Sequence, residues 1–194
     1  GTISIDGYGS GSGKLETIRF LADGSEIDLT ALQIRHDGTE GFDTIEVTGS
    51  QLETLEVHGY GGNDTIEAFG GSAEFYGGDG YDTLIGGDQG DFLYGQNGDD
   101  YLIGGAGNDF MNGDSGNDIF DGGAGDDIAN GNSGDDIYFW GAGDGNDIYS
   151  EYLGNDTVIL DGLTPGDILL KRVSDSQDMS FEIISTGETL ILND

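Results

Sequence analysis

A nine-residue period in the middle of the chain constrains its fold more than any other feature. Aspartate recurs at steps that are all multiples of nine, at Asp64, Asp82, Asp91, Asp100, Asp109, Asp118, Asp127 and Asp136. The one missing position is Ala73, in the degenerate phrase 68–76. An apolar residue stands two places after each of these positions: Ile66, Phe75, Leu84, Leu93, Leu102, Met111, Phe120, Ala129 and Tyr138. A repeat of this length predicts a parallel β-helix or β-roll.

Each phrase divides into a polar turn and a short strand. Alternation of side chains in a strand points the middle residue of the triplet inward, and six residues rich in Gly, Asn and Asp suit a turn. Two phrases make one coil of 18 residues, so like turns stack at the strand spacing of about 4.8 Å. The aspartates then form two columns, with Asp64, Asp82, Asp100, Asp118 and Asp136 in the first and Asp91, Asp109 and Asp127 in the second. Stacked carboxylates repel one another, which favours a cation between coils.

The charge balance indicates which partners the chain can have. Asp and Glu number 39 against five Lys and Arg, for a formal net charge of −34, and no Lys or Arg lies between His36 and Leu170. This excludes nucleic acid and an anionic membrane surface as partners. The sequence contains no run of 18 apolar residues, so it does not predict a membrane-spanning helix. Oxygen ligands and the lack of cysteine favour several Ca²⁺ ions over Mg²⁺ or zinc. The alternative, that Asp and Asn merely fill polar turns, explains one aspartate better than eight in register.

The phrases "GGDGYDTLI" at 77–85 and "GGAGNDFMN" at 104–112 resemble the RTX nonapeptide G-G-x-G-x-D-x-U-x, in which U is a large apolar residue. The resemblance implies an all-β fold, a right-handed parallel β-roll. It also implies Ca²⁺ between coils, bound by the sixth-place carboxylates and by backbone carbonyls of about the second to fourth places. The glycines so implied are Gly62, Gly78, Gly80, Gly87, Gly98, Gly105, Gly107, Gly116, Gly123, Gly125 and Gly134.

Departures from the pattern predict sites of unequal strength. Gln89 stands where the fourth-place glycine belongs, and the phrase 68–76 lacks its aspartate, so sites that use either phrase are expected to be weaker. After Asp136 the period stretches, with Asp147 eleven residues on and Asp156 nine beyond it. These two aspartates are expected to close the last sites of their columns.

The flanks predict a division into residues 1–58, an N-terminal flank with degenerate coils, 59–160, the calcium-binding roll, and 161–194, a C-terminal β cap. The stretches 41–47 and 52–68 read as worn coils with few or no calcium sites. Three strands are expected in the cap, with turns at 165–166 and 174–177. Its segments 168–170 and 181–184 are expected to cover the open end of the roll at 138–140.

The function remains open between classes at this point. The residues contain no catalytic constellation, so the chain is predicted not to be an enzyme. The RTX resemblance implies a bacterial module, secreted or on the cell surface, that folds on Ca²⁺ binding after type I secretion. The segment 13–29 is similar to a stretch that follows such caps, so flanking domains of a longer protein are expected partners. The alternatives are an adhesin or lectin-like module for an unidentified cell-surface or glycan ligand, and an appendage of a secreted enzyme whose catalytic domain lies elsewhere.

Overall fold

The computed structural model describes residues 17–19, 26–28, 36–48, 55–172 and 178–193. The chain divides into two units, residues 1–33 and 34–194. In the first unit, strands β1 (Thr17–Arg19) and β2 (Glu26–Asp28) pair antiparallel, with Ile18 opposite Ile27. This pair lies within the segment 13–29.

The second unit is a stack of short strands in a solenoid. Its strands are β3 (His36–Asp37), β4 (Thr44–Thr48), β5 (Leu55–Gly61), β6 (Thr65–Phe69), β7 (Ala73–Asp79), β8 (Thr83–Gly87), β9 (Phe92–Asn97), β10 (Tyr101–Ala106), β11 (Phe110–Ser115), β12 (Ile119–Ala124), β13 (Ile128–Ser133), β14 (Ile137–Gly141), β15 (Asp147–Leu153), β16 (Thr157–Asp161), β17 (Ile168–Arg172), β18 (Met179–Ile183) and β19 (Thr189–Asn193). The even-numbered strands β4 to β16 form one parallel sheet, and the odd-numbered strands β3 to β15 form the other. In the part of the chain that the structure describes, no helix is long and apolar enough to cross a membrane.

The strand register confirms the predicted parallel roll. Leu102 pairs with Leu84 on one side and with Phe120 on the other, each 18 residues away. Two consecutive phrases therefore make one coil, with one strand in each sheet. The step lengthens to 20 residues between β13 and β15 and between β14 and β16, where the sequence period also stretches.

The core includes the predicted apolar positions, one from each of the strands β6 to β14. The nine residues, all no more than 1 % exposed, are Ile66, Phe75, Leu84, Leu93, Leu102, Met111, Phe120, Ala129 and Tyr138. The coil is only two strands wide, so each core side chain lies between those of the coils before and after it. Full burial of one such side chain stabilises by about 1.5–3 kcal/mol. A coil can therefore bury its core only when its neighbours are in place.

The degenerate phrases at 41–47 and 52–68 continue the roll at its N-terminal end. Strand β4 pairs in parallel with β6, and β5 pairs in parallel with β7. Strand β3 pairs with β5, so the solenoid extends back to His36. The backbone N–H of Asp43 donates to Asp64 Oδ1, 21 residues later and outside the strict period.

The C-terminal segment forms the three predicted strands, with β17, β18 and β19 pairing antiparallel in that order. Strand β19 also pairs in parallel with β15, so it occupies the position of a further coil strand. The first predicted turn is present, since Asp167 N donates to Thr164 O at 2.9 Å. The second predicted turn, at 174–177, lies outside the described residues.

The prediction of which cap residues cover the roll is partly wrong. Ile183 and Leu190 are fully buried in the core cluster. Leu170 and Ile184, which were expected to cover the end, are 53 % and 61 % exposed. Strand β19 lies beside β15, and this pairing decides which face of the cap turns inward. The buried face therefore includes Leu190, which lies outside the predicted segments.

Candidate metal centre

The sixth-place aspartates from Asp64 to Asp136 each stand just before a strand, at the end of a short turn. The turn between β10 and β11, for example, spans only 107–109. The predicted turn of six residues and strand of three are therefore wrong, because pairing with neighbouring coils extends the strands into the first places of each phrase.

One carboxylate oxygen of each sixth-place aspartate, Oδ1, accepts a hydrogen bond from a backbone N–H in the preceding coil. Asp82 N, for example, donates to Asp100 Oδ1 at 2.8 Å. The same bond joins Asp64 N to Asp82, Ala73 N to Asp91, Asp91 N to Asp109, Asp100 N to Asp118, Asp109 N to Asp127, Asp118 N to Asp136, Asp127 N to Asp147 and Asp136 N to Asp156. Asp147 and Asp156 therefore lie at the ends of the two columns, as the stretched period predicts.

The second carboxylate oxygen, Oδ2, is buried without a hydrogen-bond partner. This holds for Asp64, Asp82, Asp91, Asp100, Asp109, Asp118, Asp127 and Asp136. These side chains are no more than 3 % exposed. A buried carboxylate oxygen without a partner is costly, and proteins compensate such groups with a positive partner or a metal ion. The orphaned oxygens therefore fit a cation held inside each column.

The same burial raises the pKa of these carboxyls. Loss of solvent is the main cause, the backbone N–H bond opposes it, and for Asp100, Asp118 and Asp127 neighbouring carboxylates add to it. The pKa rises to about 7 for these three groups and to about 6 for Asp109. Without a nearby positive charge, burial thus disfavours the ionised form of these aspartate carboxyls.

In every phrase between 59 and 136 that carries a sixth-place aspartate, a first-place glycine leaves room for the orphaned oxygen. A β-carbon on Gly104 would collide with Asp109 Oδ2 and would also meet the carbonyl oxygen of Gly122. The same contact with the aspartate five residues later recurs at Gly59, Gly77, Gly86, Gly95, Gly104, Gly113, Gly122 and Gly131. The phrase that lacks an aspartate has Ala68 in this place. These glycines are not among the predicted site residues, although between 59 and 136 the first-place glycine is absent only where the aspartate is absent.

The glycines implied by the RTX resemblance have a left-handed backbone, in the turns or near the ends of strands such as β7 and β10. All have φ between 80° and 153°: Gly62, Gly78, Gly80, Gly87, Gly98, Gly105, Gly107, Gly116, Gly123, Gly125 and Gly134. A β-carbon on Gly98 would collide with the carbonyl oxygen of Gly80, and one on Gly116 with that of Gly98. Fourth-place carbonyls thus lie against the turn of the next coil, and first-place carbonyls such as that of Gly122 lie beside the carboxylates. This oxygen-only donor set fits Ca²⁺.

Four residues other than glycine share this backbone conformation. Tyr60, Gln96, Asp114 and Asn132 have φ of 74°, 81°, 70° and 72°. They occupy the second place of phrases in the first column, in which only the phrase 77–85 has a glycine, Gly78, at this place. Left-handed backbone at Tyr60 or Gln96 costs about 1–2 kcal/mol, whereas Asp and Asn adopt it more readily. The second places of the first column therefore share the backbone conformation of the predicted glycines, although four of them are not glycine and were not among the predicted site residues.

The fifth-place side chains form a separate row, in which side-chain oxygens accept hydrogen bonds from backbone N–H groups of the next coil or the cap. Asn117 N donates to Asp99 Oδ1 and Asp135 N donates to Asn117 Oδ1, both at 2.8 Å. In the second column Thr189 N of the cap donates to Asn146 Oδ1 at 3.2 Å. These side chains satisfy turn amides and tie the cap to the roll.

At the N-terminal end of the first column, Asp43 differs from the aspartates that follow it. Its Oδ2 accepts hydrogen bonds from the backbone N–H and the hydroxyl of Thr39, at 2.5 and 2.9 Å. The protein itself therefore satisfies the oxygen that is orphaned in the later coils. This contact agrees with a worn coil that needs no ion at this carboxylate.

Comparison with known protein families agrees with this geometry. The RTX calcium-binding nonapeptide repeat matches in four copies, at residues 56–84, 76–111, 85–120 and 112–148. A search of curated proteins finds no match to the chain. The repeat is a structural calcium-binding element and not a catalytic one. Residues 56–148 of this chain are therefore RTX calcium-binding nonapeptide repeats, and together with the solenoid fold they support a calcium-binding β-roll module.

Proposed function

We propose that the roll binds several Ca²⁺ ions in its two aspartate columns and folds on binding them, as a structural module of an extracellular protein. The observation that carries the proposal is the set of eight buried Oδ2 atoms without partners. A chain that folded without a cation would bury eight carboxylate oxygens in this state.

The ligands proposed are the Oδ2 atoms of the column aspartates and the carbonyls of the second to fourth places. In the first column the carbonyls of Tyr60, Gln96, Asp114 and Asn132 take the place of the glycine carbonyls. Sites beside Gln89 or Ala73 are weaker, because Gln89 replaces a fourth-place glycine and Ala73 offers no carboxylate. Asp147 and Asp156 complete the last sites of the columns.

The folding step follows from the charge of the chain. A formal net charge of −34 and a glycine-rich backbone both oppose collapse, through repulsion and conformational entropy. Bound calcium supplies positive charge and accepts the oxygen ligands. Binding to the folded state alone stabilises that state by about 2.7 kcal/mol per site when free Ca²⁺ is a hundredfold above Kd. Several sites together are enough to decide whether a domain of this size folds.

The proposed setting is outside a bacterial cell. RTX repeats are typical of secreted bacterial proteins, and the calcium-dependent fold suits a chain exported unfolded by a type I system. In low cytosolic calcium the columns stay open, and outside the cell they fill. The roll then acts as the folding module for flanking domains of the same protein, and any catalytic activity lies in those domains.

A calcium titration tests this proposal. Circular dichroism should show a largely disordered chain in excess EGTA and a cooperative gain of β structure on addition of Ca²⁺, with several ions bound by equilibrium dialysis. Mg²⁺ at the same concentration is the control and should not fold the chain, since it demands near-ideal octahedral geometry and gives up its water reluctantly. A compact, cooperative fold in excess EGTA at about pH 8, where the carboxyls are ionised, would contradict the proposal.

A further inference from the structure

The last phrase of the first column departs from the others in its first place. In this phrase, residues 151–159, Asp156 holds the sixth place and Glu151 stands where the preceding phrases carry glycine. The earlier first-place glycines leave space for a carboxylate oxygen, whereas Glu151 brings an additional carboxylate. The consequence of this exchange rests on the proposed calcium binding.

The irregular end of strand β15 positions the Glu151 side chain. Asn130 pairs with Ser150, but the next pair is Asn132 with Glu151, so the register shifts and leaves Gly131 opposite no residue. Strand bulges of this kind re-aim a side chain. Alternation along β15 places Glu151 on the same face as Asp147 and Tyr149, which are both buried.

Three side chains converge over Gly131. A β-carbon on this glycine would collide with Asp136 Oδ2, Glu151 Oε1 and the hydroxyl of Tyr138. The Tyr138 hydroxyl donates a hydrogen bond to Glu151 Oε1, which fixes the orientation of the carboxylate. Glu151 Oε2 and Asp136 Oδ2 are both buried and without a hydrogen-bond partner, and Asp136 is fully buried.

Asp156 supplies a third carboxylate to this point. Its Oδ1 accepts the backbone N–H of Asp136 at 3.0 Å. One oxygen from each of Asp136, Glu151 and Asp156 lies within 4.8 Å of the other two. Among the residues that the structure describes, no other three side chains of His, Cys, Asp or Glu bring their ligand atoms this close together. Two of the three carboxylates have an orphaned buried oxygen, which points to a cation and not merely to crowded surface acids.

We propose that Glu151 is a direct calcium ligand, and that Asp136, Glu151 and Asp156 hold a terminal Ca²⁺ ion at the C-terminal end of the first column. This site has one more carboxylate than the repeated sites, whose sixth-place aspartates come from phrases with glycine in the first place. Affinity for Ca²⁺ rises with the charge of the ligand set, so the terminal site fills before the repeated ones. Because β15 also pairs with the cap strand β19, the ion ties the last coil to the strand that carries the cap.

The test is the Glu151→Gln variant of the full chain, which keeps the shape of the side chain and an acceptor for Tyr138 but removes the charge. Radiolabelled calcium in equilibrium dialysis should show the loss of the tightest ion, or an affinity for it that is lower by about tenfold or more. The matched control is Glu74→Gln. Glu74 also accepts a hydrogen bond from a tyrosine two residues away, Tyr76, but it lies outside both columns, so its variant should bind as the parent does.

A second comparison separates this site from the repeated ones. Asp156→Asn and the double variant Glu151→Gln/Asp156→Asn should each lose the same single ion, because both side chains serve one site. The assignment of Glu151 would be overturned if Glu151→Gln and the parent bound the same number of ions at saturating calcium and showed equal affinities across the titration. The proposed folding function would still stand. Loss of two different ions in the double variant would also overturn it. A parent chain that binds no calcium would instead refute the proposed function itself. If Glu151→Gln did not fold, Glu151→Asp would decide, since it keeps the charge and should retain the ion with lower affinity.

Discussion

At the scale of the single residue, each column aspartate has two tasks that its two oxygens divide. In Asp109, Oδ1 accepts the N–H of Asp91, while the backbone N–H of Asp109 donates to Asp127 Oδ1, both at 2.8 Å. Its Oδ2 is buried without a partner. One aspartate thus links three successive coils and offers one oxygen to an ion.

Replacing Asp109 with alanine should therefore damage two neighbouring sites, those shared with Asp91 and Asp127. The variant loses a carboxylate ligand and leaves the N–H of Asp91 without its acceptor. We expect fewer calcium ions per chain in equilibrium dialysis and a higher calcium midpoint in circular dichroism. Glu74→Gln, outside the columns, should change neither quantity. Equal stoichiometry in Asp109→Ala and the parent would count against stacked turns as the binding unit.

The first-place glycine leads to a second prediction for single residues. In Gly104→Ala the new methyl group would collide with Asp109 Oδ2 and meet the carbonyl of Gly122. Forced overpacking of this kind costs about 1–3 kcal/mol, to be measured by urea unfolding in saturating calcium. Gly166→Ala is the control, because the nearest atom to its new β-carbon is 3.8 Å away. A Gly104→Ala variant as stable as this control would mean that the carboxylate does not occupy that space.

At the scale of the element, the cap strands act as an additional coil that closes the core. Strand β19 pairs in parallel with β15 while β18 and β17 fold back antiparallel. Ile183 and Leu190 enter the core cluster from this side, and Phe181 packs against it. The open end of the solenoid is thereby covered, as repeat arrays require.

Neighbouring cap residues allow a matched test of this closure. Ile183→Ala removes a fully buried side chain and should cost about 2–5 kcal/mol of unfolding free energy. Ile184→Ala removes one that is 61 % exposed and should change stability by less than about 0.5 kcal/mol. Chemical unfolding of both variants in saturating calcium measures the difference. Equal stability of the two variants would mean that packing of the cap against the core does not stabilise the roll.

At the scale of the whole molecule, burial and mutual repulsion of carboxylates make folding depend on pH. The pKa of Asp91, Asp100, Asp118 and Asp127 rises from 3.8 to about 7 in the fold without calcium. A raised pKa stabilises the calcium-free fold below pH 3.8, and this contribution is lost as the pH rises through about 7. Ions that bind the carboxylates must displace those protons.

Two pH effects of opposite sign should result. In EGTA, the chain should gain β structure as the pH falls from about 8 towards 5. In calcium, the midpoint of folding should move to higher Ca²⁺ concentration over the same range, because protons compete for the carboxylates. Circular dichroism at several pH values measures both. A calcium midpoint that did not change between pH 8 and 5 would contradict the burial of ionising columns.

The sequence by itself determined the coil length, the core positions and the two aspartate columns. A strict nine-residue period makes every coil a repeat of the same local environment, so alternation places Leu102 or Phe120 inward and turn composition places Asp109 at the edge. It also indicated the class of cation, because the repeated ligands are oxygens and positive side chains are missing from the middle of the chain. The binding of calcium by the individual residues stays a prediction.

The tertiary structure decided what depends on the contact of one coil with the next. Which carboxylate oxygen bonds to an amide, and which remains free over Gly104, follows from the stacking of coils. The left-handed backbone at Tyr60 and Gln96 is likewise set by stacking, against the preference of their residue types. The inward face of the cap and the approach of Glu151 to Asp136 depend on β15, where the register breaks. A period predicts what repeats, whereas these contacts arise where neighbouring coils meet or where the repeat ends, and only packing in three dimensions determines them.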